Sequence, residues 1–186
     1  MGTAATCKVS VRPLYAWEVE QARLVFNNSL QYERVRVHEC TTWTNAIDRI
    51  GRRLKGMPPS EYHNAITLGN HCFFPVKLPD SFSPPGEKGH DDLCWLIHEL
   101  THAWQFQHMG WSYLFKALDA QIRQKGAAYD FGQAEGLKMR RRDGWDLRKF
   151  NLEQQGDIAR SYYYRLCRGQ DVSDWLPYIE DIQRLA

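Results

Sequence analysis

Trp95-Leu96-Ile97-His98-Glu99-Leu100-Thr101-His102-Ala103-Trp104-Gln105 is the stretch on which the reading of this chain turns, because it encloses a complete H-E-x-x-H unit. On a helix, His98 and His102 lie one turn apart and project from one face, at about 40° to each other. Imidazole nitrogen is a preferred ligand of zinc, which in catalytic sites takes three protein ligands and keeps one position for water. Glu99 stands beside the first histidine, where a carboxylate can accept the proton of that water. The pattern is that of a metal ion with a general base beside it.

The pentapeptide needs context, since a composition of this kind would produce it by chance in roughly one shuffled sequence in seventy. No Pro or Gly interrupts Asp91 to Met109, and Cys94-Trp95-Leu96-Ile97 before the first histidine is apolar. Ser83-Pro84-Pro85, Gly86 and Gly89 lie upstream and Gly110 follows, so these signals predict a helix of about 18 residues centred on the motif.

Such a site needs a third protein ligand. His108 has the spacing of H-E-x-x-H-x-x-G-x-x-H, but that pattern requires Gly where this chain has Gln105. The helix is therefore expected to continue, which would carry His108 about 15 Å along the axis from His98. Cys94 falls on the turn pointing away from the ion and is set aside. Glu153 is the expected ligand, in Asn151-Leu152-Glu153-Gln154-Gln155-Gly156-Asp157, where Glu153 and Asp157 share a face of a second predicted helix. One carboxylate can bind metal and the other can accept the free N–H of a bound imidazole.

H-E-x-x-H followed by a later E-x-x-x-D helix resembles the thermolysin-like zinc peptidases, the gluzincins. A more specific likeness covers roughly residues 11 to 165. Val11-Arg12-Pro13-Leu14, Tyr32 to His38, Ile66-Thr67-Leu68-Gly69-Asn70, Cys72-Phe73-Phe74-Pro75, Ile97 to Gln105 and Glu153 to Ile158 are similar, in this order, to bacterial metallopeptidase-like domains of injection machines, including C-terminal domains of some type VI secretion spike (VgrG) proteins. Gly156 stands where that pattern would have Ala, weakening the helix by about 1 kcal/mol. The resemblance implies a zincin-like metallopeptidase fold with Zn2+ held by His98, His102 and Glu153, Glu99 as base and Asp157 orienting a histidine. It also implies that Cys72-Phe73-Phe74 offers a free strand edge to an extended peptide. A secretion spike protein and a cognate immunity protein are the partners it implies, with action in a target-cell periplasm or a host. Tyr129 is a candidate for stabilising the oxyanion. Two other functions fit the same motifs: a non-catalytic module of a secretion apparatus, and a zinc amidase acting on cell wall.

The 186 residues suit one domain, 1–186, and 43% hydrophobic content with seven Trp, nine Tyr and eight Phe excludes a disordered tail. A net charge of +2 gives no footprint for nucleic acid, and Lys138-Met139-Arg140-Arg141-Arg142 reads as a solvated loop. No window is apolar enough for a membrane span, and Met1 to Lys8 lacks the order of a signal peptide, so synthesis in a bacterial cytoplasm is expected. The five cysteines show no C-x-x-C spacing and read as mostly free thiols, with a Cys40 to Cys72 bridge as an alternative after export. Periodicity predicts a helix from 13 to 28, a strand from 34 to 38 and a short helix from 45 to 54. A hairpin of 65 to 68 with 72 to 76, helices at 112 to 125 and 151 to 167, and a closing helix at 174 to 185 capped by Ser173 or Asp174 complete an α+β order, mostly helical with a small sheet.

Overall fold

The computed structural model describes residues 7–41, 43, 65–111 and 130–184. Along the chain run β1 (Ser10–Arg12), α1 (Ala16–Phe26), β2 (Arg36–Glu39), β3 (Ile66–Leu68), β4 (His71–Phe73), α2 (Lys88–Met109), α3 (Gln133–Arg142), α4 (Leu152–Cys167) and α5 (Leu176–Gln183). The class is α+β, as expected. The helices expected at 45 to 54 and 112 to 125, and Tyr129, lie outside the described residues. Among the described residues no helix is long and apolar enough to cross a membrane.

The H-E-x-x-H segment sits inside α2, which spans 22 residues, about 33 Å. It begins after the Pro84-Pro85-Gly86 turn and ends at Gly110, whose φ of 63° lets its N–H bond back to Phe106 O at 2.7 Å. Gln105 does not break the helix, so His108 is carried on to the last turn. There its Nε2 meets Ser29 O at 2.8 Å, remote from the other two histidines.

The sheet has the order β1-β2-β4-β3, with β2 and β4 parallel and the outer pairs antiparallel. Gly69 at φ +64° makes the two-residue turn between β3 and β4. Alternation sends Val37, Thr67 and Cys72 to the buried side and leaves His38, His71 and Phe73 on the other. Behind the sheet, α2 packs against β3 and β4 and, most extensively, along α4. Leu96, Ile97, Leu100, Ala103 and Trp104 of α2 meet Ile158, Ala159 and Tyr162 of α4 in one core with Val37, Cys72 and Phe74. Each buried Leu or Ile contributes about 1.5 to 3 kcal/mol, so the two helices are held at fixed separation by their apolar faces.

Several expectations are corrected. Cys72-Phe73-Phe74 is not a free edge: β4 is flanked by β2 and β3, and Cys72 and Phe74 are fully buried. Among the described residues, the free edge nearest α2 belongs to β3. Lys138 to Arg142 is the C-terminal half of α3, where Arg140 donates to Phe131 O and lies over the Trp145 and Phe150 rings. The closing helix starts at Leu176 after Trp175, with Pro177 in its first turn, and Ser173 bonds instead to Asp171. Cys40 is bonded to Cys7, not to Cys72, because β1 and β2 pair Ser10 with Glu39 and bring the flanking cysteines together.

One polar cluster carries no sequence signature. Arg12 reaches both oxygens of Glu18, at 2.7 and 2.9 Å, and Glu39 at 3.0 Å, and both carboxylates are buried. It ties β1 to the first turn of α1 and the end of β2.

Candidate metal centre

Two helices supply the centre. His98 and His102 project from the middle of α2, and their Nε2 atoms lie 3.1 Å apart. Glu153 comes from the first turn of α4. Asn151 caps that helix by accepting from Gln154 N at 2.8 Å, and Gln154 Oε1 accepts in turn from Asn151 N at 3.2 Å, so the sequence fixes where α4 begins and hence where Glu153 points. Glu153 Oε2 is 3.4 Å from His98 Nε2 and 3.6 Å from His102 Nε2. All three residues are buried, with 6 to 7% of their surfaces exposed.

These atoms form a triangle with edges of 3.1, 3.4 and 3.6 Å. Ligand atoms about 2.0 to 2.1 Å from a tetrahedral ion are separated by about 3.3 Å, so the triangle fits one metal ion without rearrangement. Among the described residues this is the group whose ligand atoms converge in that way. Cys94 is not in it, and burial pushes its thiol up to about 12, which keeps it protonated. His108 is not in it either.

Electrostatics favour a cation at the same point. Burial alone would lower the pKa of His98, but hydrogen bonds to Asp157 and Glu153 outweigh it and raise the value to about 10. His102 is also raised: burial opposes it and the charge of Glu153 prevails. Burial would raise Glu153, yet the two imidazoles hold it well below the usual carboxylate range. Carboxylates therefore dominate the field around the triangle.

The surroundings orient each imidazole. His98 Nδ1 lies 3.0 Å from Asp157 Oδ1, one turn after Glu153 on α4. His102 Nδ1 lies 2.9 Å from Gln105 Oε1. Glu99 is buried, and Thr67 of β3 donates its hydroxyl to Glu99 Oε2 at 2.7 Å. Gly156, where the sequence predicted only a weakened helix, lies against the His98 ring: an added Cβ would stand 2.8 to 3.0 Å from three of its atoms.

The sequence gives Thr67, Gln105 and Gln155 no role as side chains at the site. Gln105 was legible in principle, since a residue three after His102 on a helix shares its face. Thr67 was half legible: alternation in Ile66-Thr67-Leu68 turns it away from its apolar neighbours, but nothing in the sequence says that Glu99 is opposite.

Comparison with known proteins gives a partial match. The chain is 40% identical over 67 residues to a type VI secretion system spike protein, VgrG2b, of Pseudomonas aeruginosa, and the match covers 36% of this chain and 6% of that protein. No family model matches the chain. No solved structure matches it.

Proposed function

We propose that this chain is a zinc metallopeptidase of zincin-like fold that hydrolyses peptide bonds in a protein or peptide, with Glu99 as general base. The observation that carries the reading is the buried His98, His102 and Glu153 triangle with Glu99 held beside it. Two imidazoles and one carboxylate are a donor set that zinc accepts. A site whose metal was purely structural would have no use for a carboxylate at position 99.

When bound, zinc would supply Lewis acidity, polarising the scissile carbonyl and lowering the pKa of water toward neutrality. Glu99 takes the proton from the attacking water and passes it to the leaving nitrogen. Thr67 holds one oxygen of Glu99 in place, which limits the carboxylate to one approach. Asp157 holds His98 through Nδ1 and so leaves Nε2 facing Glu153, where it would bind the ion. Among the described residues β3 is the edge strand beside Glu99, and its outer side is where an extended substrate would add as a further strand, in place of the interior strand β4.

The likeness to a spike protein supports delivery by a type VI secretion system, with action in a target-cell periplasm or in a host. A spike protein and a cognate immunity protein are the partners of that proposal.

The test is digestion of casein and of purified peptidoglycan in parallel by the zinc-loaded chain, with and without chelator. Casein should be cut, and both chelator and Glu99→Gln should abolish cutting, while Glu99→Gln retains its metal. Cleavage of peptidoglycan alone would make the protein a cell-wall amidase. No hydrolysis of either by zinc-loaded protein would make it a binding module.

A further inference from the structure

We propose that Gln105 is a positioning residue which, together with Gln155, sets the tautomer of His102 and ties that imidazole to the helix carrying Glu153; this rests on the metal reading above. Gln105 is fully buried. Its Nε2 faces the backbone carbonyl of Leu152 at 3.0 Å and Gln155 Oε1 at 3.0 Å. A carbonyl only accepts, so this end of the amide must be the NH2 group. The other end is then oxygen, 2.9 Å from His102 Nδ1. Since an amide oxygen also only accepts, His102 carries a proton on Nδ1 and directs Nε2 toward Glu153.

Gln155 obeys the same rule. Its Nε2 donates to Phe150 O at 2.9 Å, which leaves its Oε1 to accept from Gln105. Two carbonyls at the entry to α4, those of Phe150 and Leu152, thus dictate through two amides which nitrogen of His102 is offered to the ion. They also couple the ligands mechanically: the residue that holds His102 is bonded to the backbone immediately before Glu153. The choice of a neutral acceptor has a reason. Glu99, Glu153 and Asp157 already crowd the centre with carboxylates, and a fourth at 105 would be buried with no cation of its own.

The test is Gln105→Met, which keeps length and volume but neither accepts nor donates. Zinc affinity, measured by competition with a chromophoric chelator, should fall about 10- to 100-fold. In nitrogen-15 labelled, zinc-loaded protein the Nδ1 proton of His102 should lose protection from exchange, while that of His98, held by Asp157, keeps it. Gln155→Met should shift affinity in the same direction by less, because Leu152 O still orients the Gln105 amide; it serves as the second arm if Gln105→Met fails to fold. Unchanged affinity in the folded variants, or equal loss of protection at both histidines, overturns the proposal. A wild-type chain that binds no zinc overturns the metal reading itself.

Discussion

Replacing Gly156 by Ala sets two effects of opposite sign against each other. In an unconstrained helix, Ala at this position would stabilise α4 by about 1 kcal/mol. Here the added methyl would lie 2.8 Å from His98 Cε1, 2.9 Å from Nδ1 and 3.0 Å from Nε2. Comfortable contacts between such atoms begin at about 3.5 Å, so the ring must retreat by about 0.5 to 0.7 Å. It has little room, because Asp157 holds its Nδ1 at 3.0 Å and the ring is buried between α2 and α4. Overpacking of this kind costs about 1 to 3 kcal/mol. The metal-free protein should therefore lie between no change and a loss of about 2 kcal/mol. The ion is more sensitive: metal to ligand distances tolerate only about 0.2 Å, so zinc affinity should fall by at least about tenfold. Chelator competition measures the affinity and chemical denaturation of the metal-free chain measures the stability. A variant stabilised by about 1 kcal/mol with wild-type zinc affinity would show that helix propensity alone governs the position, and would refute the close packing of α4 on His98.

His108→Ala should retain zinc, since its imidazole is committed to Ser29 O, whereas His98→Ala, His102→Ala and Glu153→Ala should each empty the site on metal analysis. Zinc affinity should rise with pH between 7 and 9, because His98, with its pKa raised to about 10, must release a proton to bind; calorimetry in buffers of different ionisation enthalpy should detect that proton. In the metal-free protein the sign reverses. The raised pKa of His98 contributes stability that is complete below its unfolded value near 6.5 and is lost as pH climbs through about 10, so metal-free melting temperature should decline across that range. Expression in a bacterial cytoplasm should be tolerated and expression with an added export signal should impair growth in a Glu99-dependent way; equal toxicity in both compartments would move the target inside the cell.

How much of this was legible follows from what kind of information each feature needs. Local spacing sufficed for α2 and α4: an uninterrupted run closed by Gly110, and Asn151 with Gln154 as a capping pair, are decided within a few residues. The juxtaposition of His98, His102 and Glu153 was also within reach, because Gln105 ruled out a chain reversal toward His108 and Glu153 with Asp157 offered one helical face. Strand order was not. Alternation gives a strand its two faces and says nothing of its neighbours, so β4 was taken for an edge when β3 continues past it. The Cys7 to Cys40 bond was missed for the same reason, since it follows from the register of β1 on β2. In the sequence Gln105 is legible as a residue that is not glycine, and its 2.9 Å approach to His102 Nδ1 is visible only in the fold.

The capped start of α4 has one more consequence. The two histidines are close neighbours on one helix, but the carboxylate that completes the triangle arrives 51 positions after His102. An unfolded chain holds an isolated histidine pair and no third donor, so it has no triangle with which to retain an ion. On the proposed function, metal capture and tertiary folding would be a single event, completed when α4 docks and Gln105 reaches the carbonyl of Leu152. Under the proposed function, a chain delivered unfolded would arrive metal-free and would take up its ion only where it refolds.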